Sequence, residues 1–153
     1  MSKKILDAIR FAKEHHGQQM YGTKPYMYHL AKVAAVAKRY GGDDFDVVCC
    51  LLHDVIEDTP ATMQDVKQEF GAAVAAVVDL VTNQPTKAET FRRIRSNRNA
   101  VFVKLCDRIA NVSEGGKLSK YRSEHSIFKS ILYRPGEFDD MWSELDSRLN
   151  THG

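Results

Sequence analysis

The sequence predicts an all-α protein folded as a compact helical bundle, and three observations predict it. Apolar residues recur at helical spacing along most of the chain, the runs close at glycine or proline, and no stretch carries a convincing hairpin signal. At 153 residues with 43% hydrophobic content, the chain is expected to form one domain, 1–153, around a single sizeable core.

The first helix runs from Lys4 to His16, carries Ile5, Ala8, Ile9, Phe11 and Ala12, and stops at Gly17. His15 and His16 fall in its last turn, where cations are favoured, so helix-end roles are expected of them. A turn-rich stretch, Tyr21-Gly22-Thr23-Lys24-Pro25, precedes a second helix from about Met27 to Tyr40, closed by Gly41-Gly42. From Phe45 to Ile56 nearly every residue is apolar, which reads as one helix buried on most of its surface and ended by Thr59-Pro60. Thr62-Met63-Gln64-Asp65 has the pattern of an N-cap opening a short amphipathic helix that ends at Gly71. Ala72 to Thr82 is small and apolar, Lys87 to Asn97 is basic, and Ala100 to about Glu114 is apolar on one side before Gly115-Gly116. Two further helices are expected near Tyr121 to Leu132 and Phe138 to Leu149, separated by Arg134-Pro135-Gly136. There is no internal repeat, low-complexity tract or long linker.

The formal net charge is +2, from 22 basic and 20 acidic side chains, which argues against a generic polyanion binder. Nucleic acid is therefore a poor candidate partner, and no recognition motif for it is present. No apolar run reaches membrane-spanning length, and Met1-Ser2-Lys3-Lys4 leads into an amphipathic helix rather than a signal-peptide core. Three cysteines, Cys49, Cys50 and Cys106, all lie in apolar stretches, as expected of reduced core residues in a cytoplasmic protein.

Chemistry concentrates where charge interrupts apolar helix. His53 and Asp54 break the apolar run just where desolvation is costly, and buried charge is tolerated when it is paired or holds a metal. Glu57 is four residues after His53 and Asp58 four after Asp54, so a continuous helix projects all four to roughly one side. That supplies two candidate ligands with two candidate proton-transfer groups. His29, in Tyr28-His29-Leu30, and Asp107, at the end of Val101 to Cys106, are each unremarkable alone; a core histidine and a salt bridge to Lys104 or Arg108 are the ordinary readings. Together, the four place nitrogen and oxygen ligands on three helices that a small bundle can gather around one ion. Two imidazoles and two carboxylates suit Mn²⁺, Fe²⁺, Co²⁺ or Zn²⁺ better than Ca²⁺. Such an ion polarises a phosphoryl oxygen and lowers the pKa of bound water from ~16 towards ~7, which is what phosphoester hydrolysis needs.

The order His29, then His53-Asp54, then Asp107 resembles the signature of HD-domain metal-dependent phosphohydrolases. Three longer strings resemble one branch, the hydrolase domain of Rel/Spo-type alarmone enzymes and the stand-alone small alarmone hydrolases. They are Pro25-Tyr26-Met27-Tyr28-His29, Leu51 to Thr59 (LLHDVIEDT) and Val103 to Asn111 (VKLCDRIAN). The resemblance covers about Ala8 to Glu114. It implies an all-α HD domain that hydrolyses the 3′-pyrophosphate of guanosine tetra- or pentaphosphate, usually with manganese. It also implies one divalent ion held by His29, His53, Asp54 and Asp107. Glu57 and Asp58 match the family's acidic pair, which orients and deprotonates the attacking water. Asn111 matches a substrate-contacting position, and Tyr21 and Lys24 are taken as further substrate contacts.

The chain also departs from that family. Met20 and Tyr21 stand where the alarmone hydrolases typically carry an Arg-Lys pair against the guanine, Lys24 replaces a common acidic residue, and Glu114 a frequent threonine. A weak preference for guanine is the expectation. Two other readings compete: an HD phosphohydrolase acting on another nucleotide, such as a deoxynucleotide monophosphatase, and a non-catalytic nucleotide-sensing module that keeps its metal for stability. Arg92, Arg93, Arg95 and Arg98 form a basic segment read first as a solvated helix face and second as a phosphate-gathering rim. His125 is expected at the surface, His152 in a frayed tail, and Trp142 in core or interface packing.

Overall fold

Helices account for nearly all the regular structure of the computed structural model, which describes residues 1–151. They are α1 (Lys3–His16), α2 (Tyr26–Arg39), α3 (Asp44–Leu52), α4 (Val55–Asp58), α5 (Met63–Phe70), α6 (Ala72–Val81), α7 (Lys87–Arg95), α8 (Arg98–Ser113), α9 (Leu118–Leu132) and α10 (Asp139–Thr151). The bundle is centred on α2, α3 and α8, which pack on one another, with α1 against α3, α6 and α7 along α8, and α9 and α10 closing the far side. Leu30, Val33, Leu52, Val55, Leu105 and Ile109 are fully buried at the centre. Burying such side chains contributes about 1.5–3 kcal/mol each. Among the described residues no helix is long and apolar enough to cross a membrane.

Local chemistry sets the helix starts. Asp43 and Thr62 each form a capping box, with Asp46 and Asp65 returning the hydrogen bond, and Asn97 caps α8 through Ala100 N–H. The α2–α3 corner needs glycine at 42, because a Cβ there would lie 2.9 Å from the carbonyl oxygen of Ala37.

The structure corrects the sequence expectations in four places. The turn before α2 is a minimal hairpin, β1 (Met20–Tyr21) paired antiparallel with β2 (Lys24–Pro25), too short for any strand periodicity to register. The apolar helix is not continuous through Ile56, since it ends at Leu52 and resumes at Val55. The cause is His53, whose Nδ1 donates to the carbonyl of Cys50 at 2.7 Å and takes the acceptor that Asp54 N–H would use in an unbroken helix. Helix α9 begins at Leu118, a turn earlier than apolar spacing indicated, after Lys117 in the left-handed region (φ 58°). His125 is half-buried, its Nε2 2.6 Å from Asp146 Oδ1. Trp142 lies in the core against Phe128 and Tyr133, and Cys49, Cys50 and Cys106 are free and buried. His152 lies outside the described residues.

Candidate active site

His29 on α2, His53 and Asp54 in the α3–α4 break and Asp107 on α8 lie side by side. One donor atom each from His29, His53 and Asp107 lies within 4.8 Å of the others, all three residues buried. His29 Nε2 is 3.0 Å from Asp107 Oδ1, and His53 Nε2 is 3.2 Å from that same oxygen and 3.0 Å from Asp54 Oδ2. The helix break matters here, because it turns Asp54 back towards the His53 ring rather than a further step around a helix.

The donor set fits a cation. Since Nδ1 of His53 is committed to the Cys50 carbonyl, Nε2 faces two carboxylates, yet it meets hydrogen-bond geometry with neither. A buried nitrogen without a partner, packed beside two carboxylates and a second imidazole, is what a divalent ion would satisfy. Without the ion, the ring nitrogens and carboxylates must satisfy one another. Burial opposes the His53 imidazolium, but Asp54 and Asp107 outweigh it and raise its pKa well above the ordinary value. Burial likewise opposes the Asp107 carboxylate, while His53, the hydrogen bond from His29 and Lys104 hold its pKa well below the usual carboxylate range.

Neutral donors orient the carboxylates around this centre, as supporting groups do at metal sites. The Tyr26 hydroxyl donates to Asp54 Oδ2 at 2.5 Å, and burial followed by the Asp54 charge raises the tyrosine pKa strongly. Asn111 Nδ2 donates to Asp107 Oδ1 at 3.1 Å, and Asn111 Oδ1 accepts from the Tyr21 hydroxyl at 2.7 Å. Tyr21 also stacks on the His29 ring, centroids 4.5 Å apart and planes 11° from parallel. Glu57 is gripped through both oxygens by Asn83, from its backbone N–H and its Nδ2, each at 2.8 Å. Asp58 Oδ2 accepts from Gln19 Nε2 at 3.1 Å. Both acids line the pocket beside Asp54, although the break means they arrive there from the short α4 rather than one turn along α3.

That pocket is a cavity of about 640 Å³ lined by side chains of both charges. Asp54, Glu57, Asp58 and Asp107 make up its acidic wall and Lys87, Lys104, Arg108, Lys117 and Lys120 its basic wall, with Glu124 among the cations; the two meet where Lys104 Nζ stands 3.5 Å from Asp107 Oδ2. Burial and then the neighbouring charge of Lys104 push the Lys87 pKa down, with Lys120 and Arg108 adding to the effect. Arg108 is buried with its guanidinium 4.3 Å from the Phe128 ring centroid and 4.6 Å from that of Tyr121. Its Nη2 is 3.1 Å from Glu124 Oε1, while Nη1 has no partner.

Sequence reasoning did not single out this basic wall as a unit. Lys104 and Arg108 were weighed only as partners of Asp107; Lys104 does stand 3.5 Å from it, but Arg108 turns to Glu124. Lys87, Lys117 and Lys120 come from α7 and the start of α9, and nothing in a local pattern marks an isolated lysine as pocket-facing. Gln19, Tyr26 and Asn83 were missed as well; Tyr26 at least lay inside a quoted motif. The Arg92–Arg98 segment is not a single helix face: Arg92, Arg93 and Arg95 end α7 and Arg98 opens α8, none of them lines the large cavity, Arg93 pairs with Asp79, and Arg98 with Glu137. Lys24 lines the cavity with its ammonium 4.9 Å over the Tyr28 ring, and Glu114 binds Lys32 and Tyr28 at the rim.

A guanosine-3′,5′-bis(diphosphate) 3′-pyrophosphohydrolase of Aquifex aeolicus is 34% identical over 122 residues, covering 72% of this chain and 18% of its own length. The bifunctional (p)ppGpp synthase/hydrolase SpoT of Escherichia coli K12 is 34% identical over 164 residues, covering 98% of this chain and 22% of its own length. The chain thus spans roughly a fifth of the curated relatives it matches. A solved metazoan ortholog of SpoT, described as hydrolysing ppGpp, superposes with a TM-score of 0.83 over 100% of this chain and 97% of that one. At 24% identity it shows the fold alone. The HD domain pattern matches residues 8–130, a span that holds all four convergent His and Asp residues. The chain belongs to the HD domain family.

Proposed function

We propose that this domain hydrolyses the 3′-pyrophosphate of a guanosine polyphosphate, the reaction that the names of its relatives describe, and that it does so with a divalent ion, manganese first among candidates for a mixed imidazole-and-carboxylate donor set. The observation that carries this reading is the two-walled cavity. A substrate fitted to it carries one phosphate group for the carboxylate-and-imidazole wall and a second anionic group for the lysines. A nucleotide phosphorylated at both its 3′ and 5′ ends meets that requirement, while a deoxynucleotide monophosphate leaves the basic wall unused.

His29, His53, Asp54 and Asp107 would hold the ion. Bound there, it would act as a Lewis acid on a phosphoryl oxygen and as a source of acidified water. Tyr26 and Asn111 keep Asp54 and Asp107 aimed at the centre by donating hydrogen bonds that compete with no proton transfer. Glu57 and Asp58 orient the attacking water and accept its proton, a role open to them because each carboxylate retains free lone pairs beside its amide partner. Lys87, Lys117 and Lys120 bind the second phosphate group, Lys104 beside Asp107 serves the phosphate at the ion, and their charge also offsets that of a polyanion entering an acidic pocket. Asn111, Tyr21 and Lys24 contact the nucleoside side. A purely sensing module would not need Glu57 and Asp58 beside the ligand set, each held by its own amide.

A second reading within the same chemistry, another nucleotide with phosphates at two ends, is favoured by Met20. It is 54% exposed beside the cavity and offers no cation to a guanine face. Residues 1–153 would act as one unit in either reading, because α9 supplies part of the basic wall, and the free buried cysteines fit a cytoplasmic setting. The decisive test is an assay of the purified protein with Mn²⁺ against a panel of 3′-pyrophosphorylated and 5′-phosphorylated nucleotides. Release of pyrophosphate from the 3′-pyrophosphorylated members is expected. Release of phosphate from nucleoside 5′-monophosphates in its place would reject the proposal.

A further inference from the structure

His16 was expected to do no more than end α1, but it is buried and reaches the site. Its Nδ1 is 2.7 Å from Gln19 Oε1, and Gln19 Nε2 is 3.1 Å from Asp58 Oδ2. Its ring also stacks on Tyr26, centroids 4.8 Å apart, and Tyr26 is the donor to Asp54. One imidazole therefore touches both arms that hold acidic residues of the site.

We infer that His16 and Gln19 are positioning residues, with the proton on His16 Nδ1 locking the Gln19 amide so that its N–H faces Asp58. The chain of donors leaves a single solution. A carboxylate only accepts, so the amide atom turned to Asp58 must be Nε2. The amide oxygen then faces His16, and an oxygen only accepts, so Nδ1 must carry the ring proton. Nε2 of His16 is buried with no partner, as suits a ring nitrogen that bears no proton to satisfy. Were the proton on Nε2 instead, Gln19 would turn its N–H to His16 and its carbonyl oxygen to Asp58, and the carboxylate would swing away from a like partial charge. Phe could replace the ring in its stack on Tyr26 but could not donate. Asn could donate from nearly the Nδ1 position.

This inference rests on Asp58 serving the proposed hydrolysis, but its first test does not. Long-range ¹H–¹⁵N NMR of the purified protein reads the ring tautomer directly. His16 is expected in the Nδ1–H form in the wild type and to lose that preference in Gln19→Leu; a neutral ring protonated at Nε2 in the wild type overturns the relay. The second test is kinetic, with guanosine 3′,5′-bis(diphosphate) and Mn²⁺. His16→Phe should lower kcat about 5- to 10-fold, the scale of one lost hydrogen bond, with KM and bound manganese unchanged, and His16→Asn should recover most of the loss. Wild-type kcat in His16→Phe, or equal losses in both variants accompanied by lost metal and a lower melting temperature, overturns the positioning role. Failure of the wild type to hydrolyse the substrate would count against the proposed reaction alone, because the tautomer still decides the relay.

Discussion

The wall that carries His29, His53, Asp54 and Asp107 satisfies most of its charge from within, whereas the wall of Lys87, Lys104, Arg108 and Lys120 does not. On the first, carboxylates meet imidazoles and the neutral donors of Tyr26 and Asn111. On the second, Arg108 meets Glu124 and Lys104 stands 3.5 Å from Asp107, while repulsion from Lys104, Lys120 and Arg108 helps to push the Lys87 pKa down. The difference separates two tasks. A centre that must hold one ion in fixed geometry is preorganised by its own hydrogen bonds. Under the proposed reaction the second wall would hold a mobile polyanion, whose arrival would neutralise its cations.

The largest effect should come from breaking the acidic wall. Asp54→Ala removes one of the four convergent donors and leaves the Tyr26 hydroxyl without its acceptor. Metal analysis by mass spectrometry is expected to show clear loss of bound metal, exceeding the ~10–100-fold that a lost supporting hydrogen bond costs. Full metal occupancy in this variant would remove Asp54 from the ligand set. Next in size is Glu57→Gln. It should lower turnover by ~100-fold or more, the usual scale for a lost general base, with metal occupancy nearly intact. Unchanged turnover, or metal lost along with it, would reject the role.

The two walls also differed in how far they could be read from the sequence. His29, His53-Asp54 and Asp107 stood out because each interrupts an apolar run, and a charge in such a place needs a reason. Burial made the signal. Lys87, Lys117 and Lys120 sit in polar stretches where lysine is the ordinary residue, so their convergence exists only once α7, α8 and α9 have packed. The α3–α4 break was hidden for another reason: it arises from a side-chain hydrogen bond, His53 to the Cys50 carbonyl, that apolar periodicity does not register. Likewise the hairpin at Met20–Pro25 is two residues per strand, below the length at which alternation can show.

Breaking the basic wall should move KM and leave kcat nearly alone. Lys87→Ala is expected to raise KM ~10-fold, about 1.4 kcal/mol, just below the ~1.5–3 kcal/mol typical of a hydrogen bond to a charged group because solvent screens part of it. Because burial and the charge of Lys104 lower the Lys87 pKa, its charge is lost at a lower pH than that of an ordinary lysine. KM of the wild type should therefore begin to rise at lower pH than KM of Lys87→Arg, whose guanidinium stays charged. Superimposable KM profiles would place Lys87 away from the phosphates.

The smallest effect concerns the base, where neither wall acts. Tyr21 is already engaged, its ring on His29 and its hydroxyl on Asn111, and Met20 brings no charge. Guanine therefore lacks from this hairpin the stacked cation that contributes ~0.5–2 kcal/mol, roughly a few-fold to thirty-fold in binding. Hydrolysis of guanosine and adenosine 3′-pyrophosphates should accordingly differ little in kcat/KM. Met20→Arg, which leaves the Tyr21 stack in place, should raise the guanosine value several-fold. Tyr21→Lys is the poorer probe, since it also strips the ring from His29 and would mix a loss at the metal-site wall into a measurement of base preference. A wild-type preference above ~100-fold, worth about 2.7 kcal/mol, would mean that guanine is read by residues other than Met20 and Tyr21. Asn111, already bonded to both Tyr21 and Asp107, would then be the first to replace.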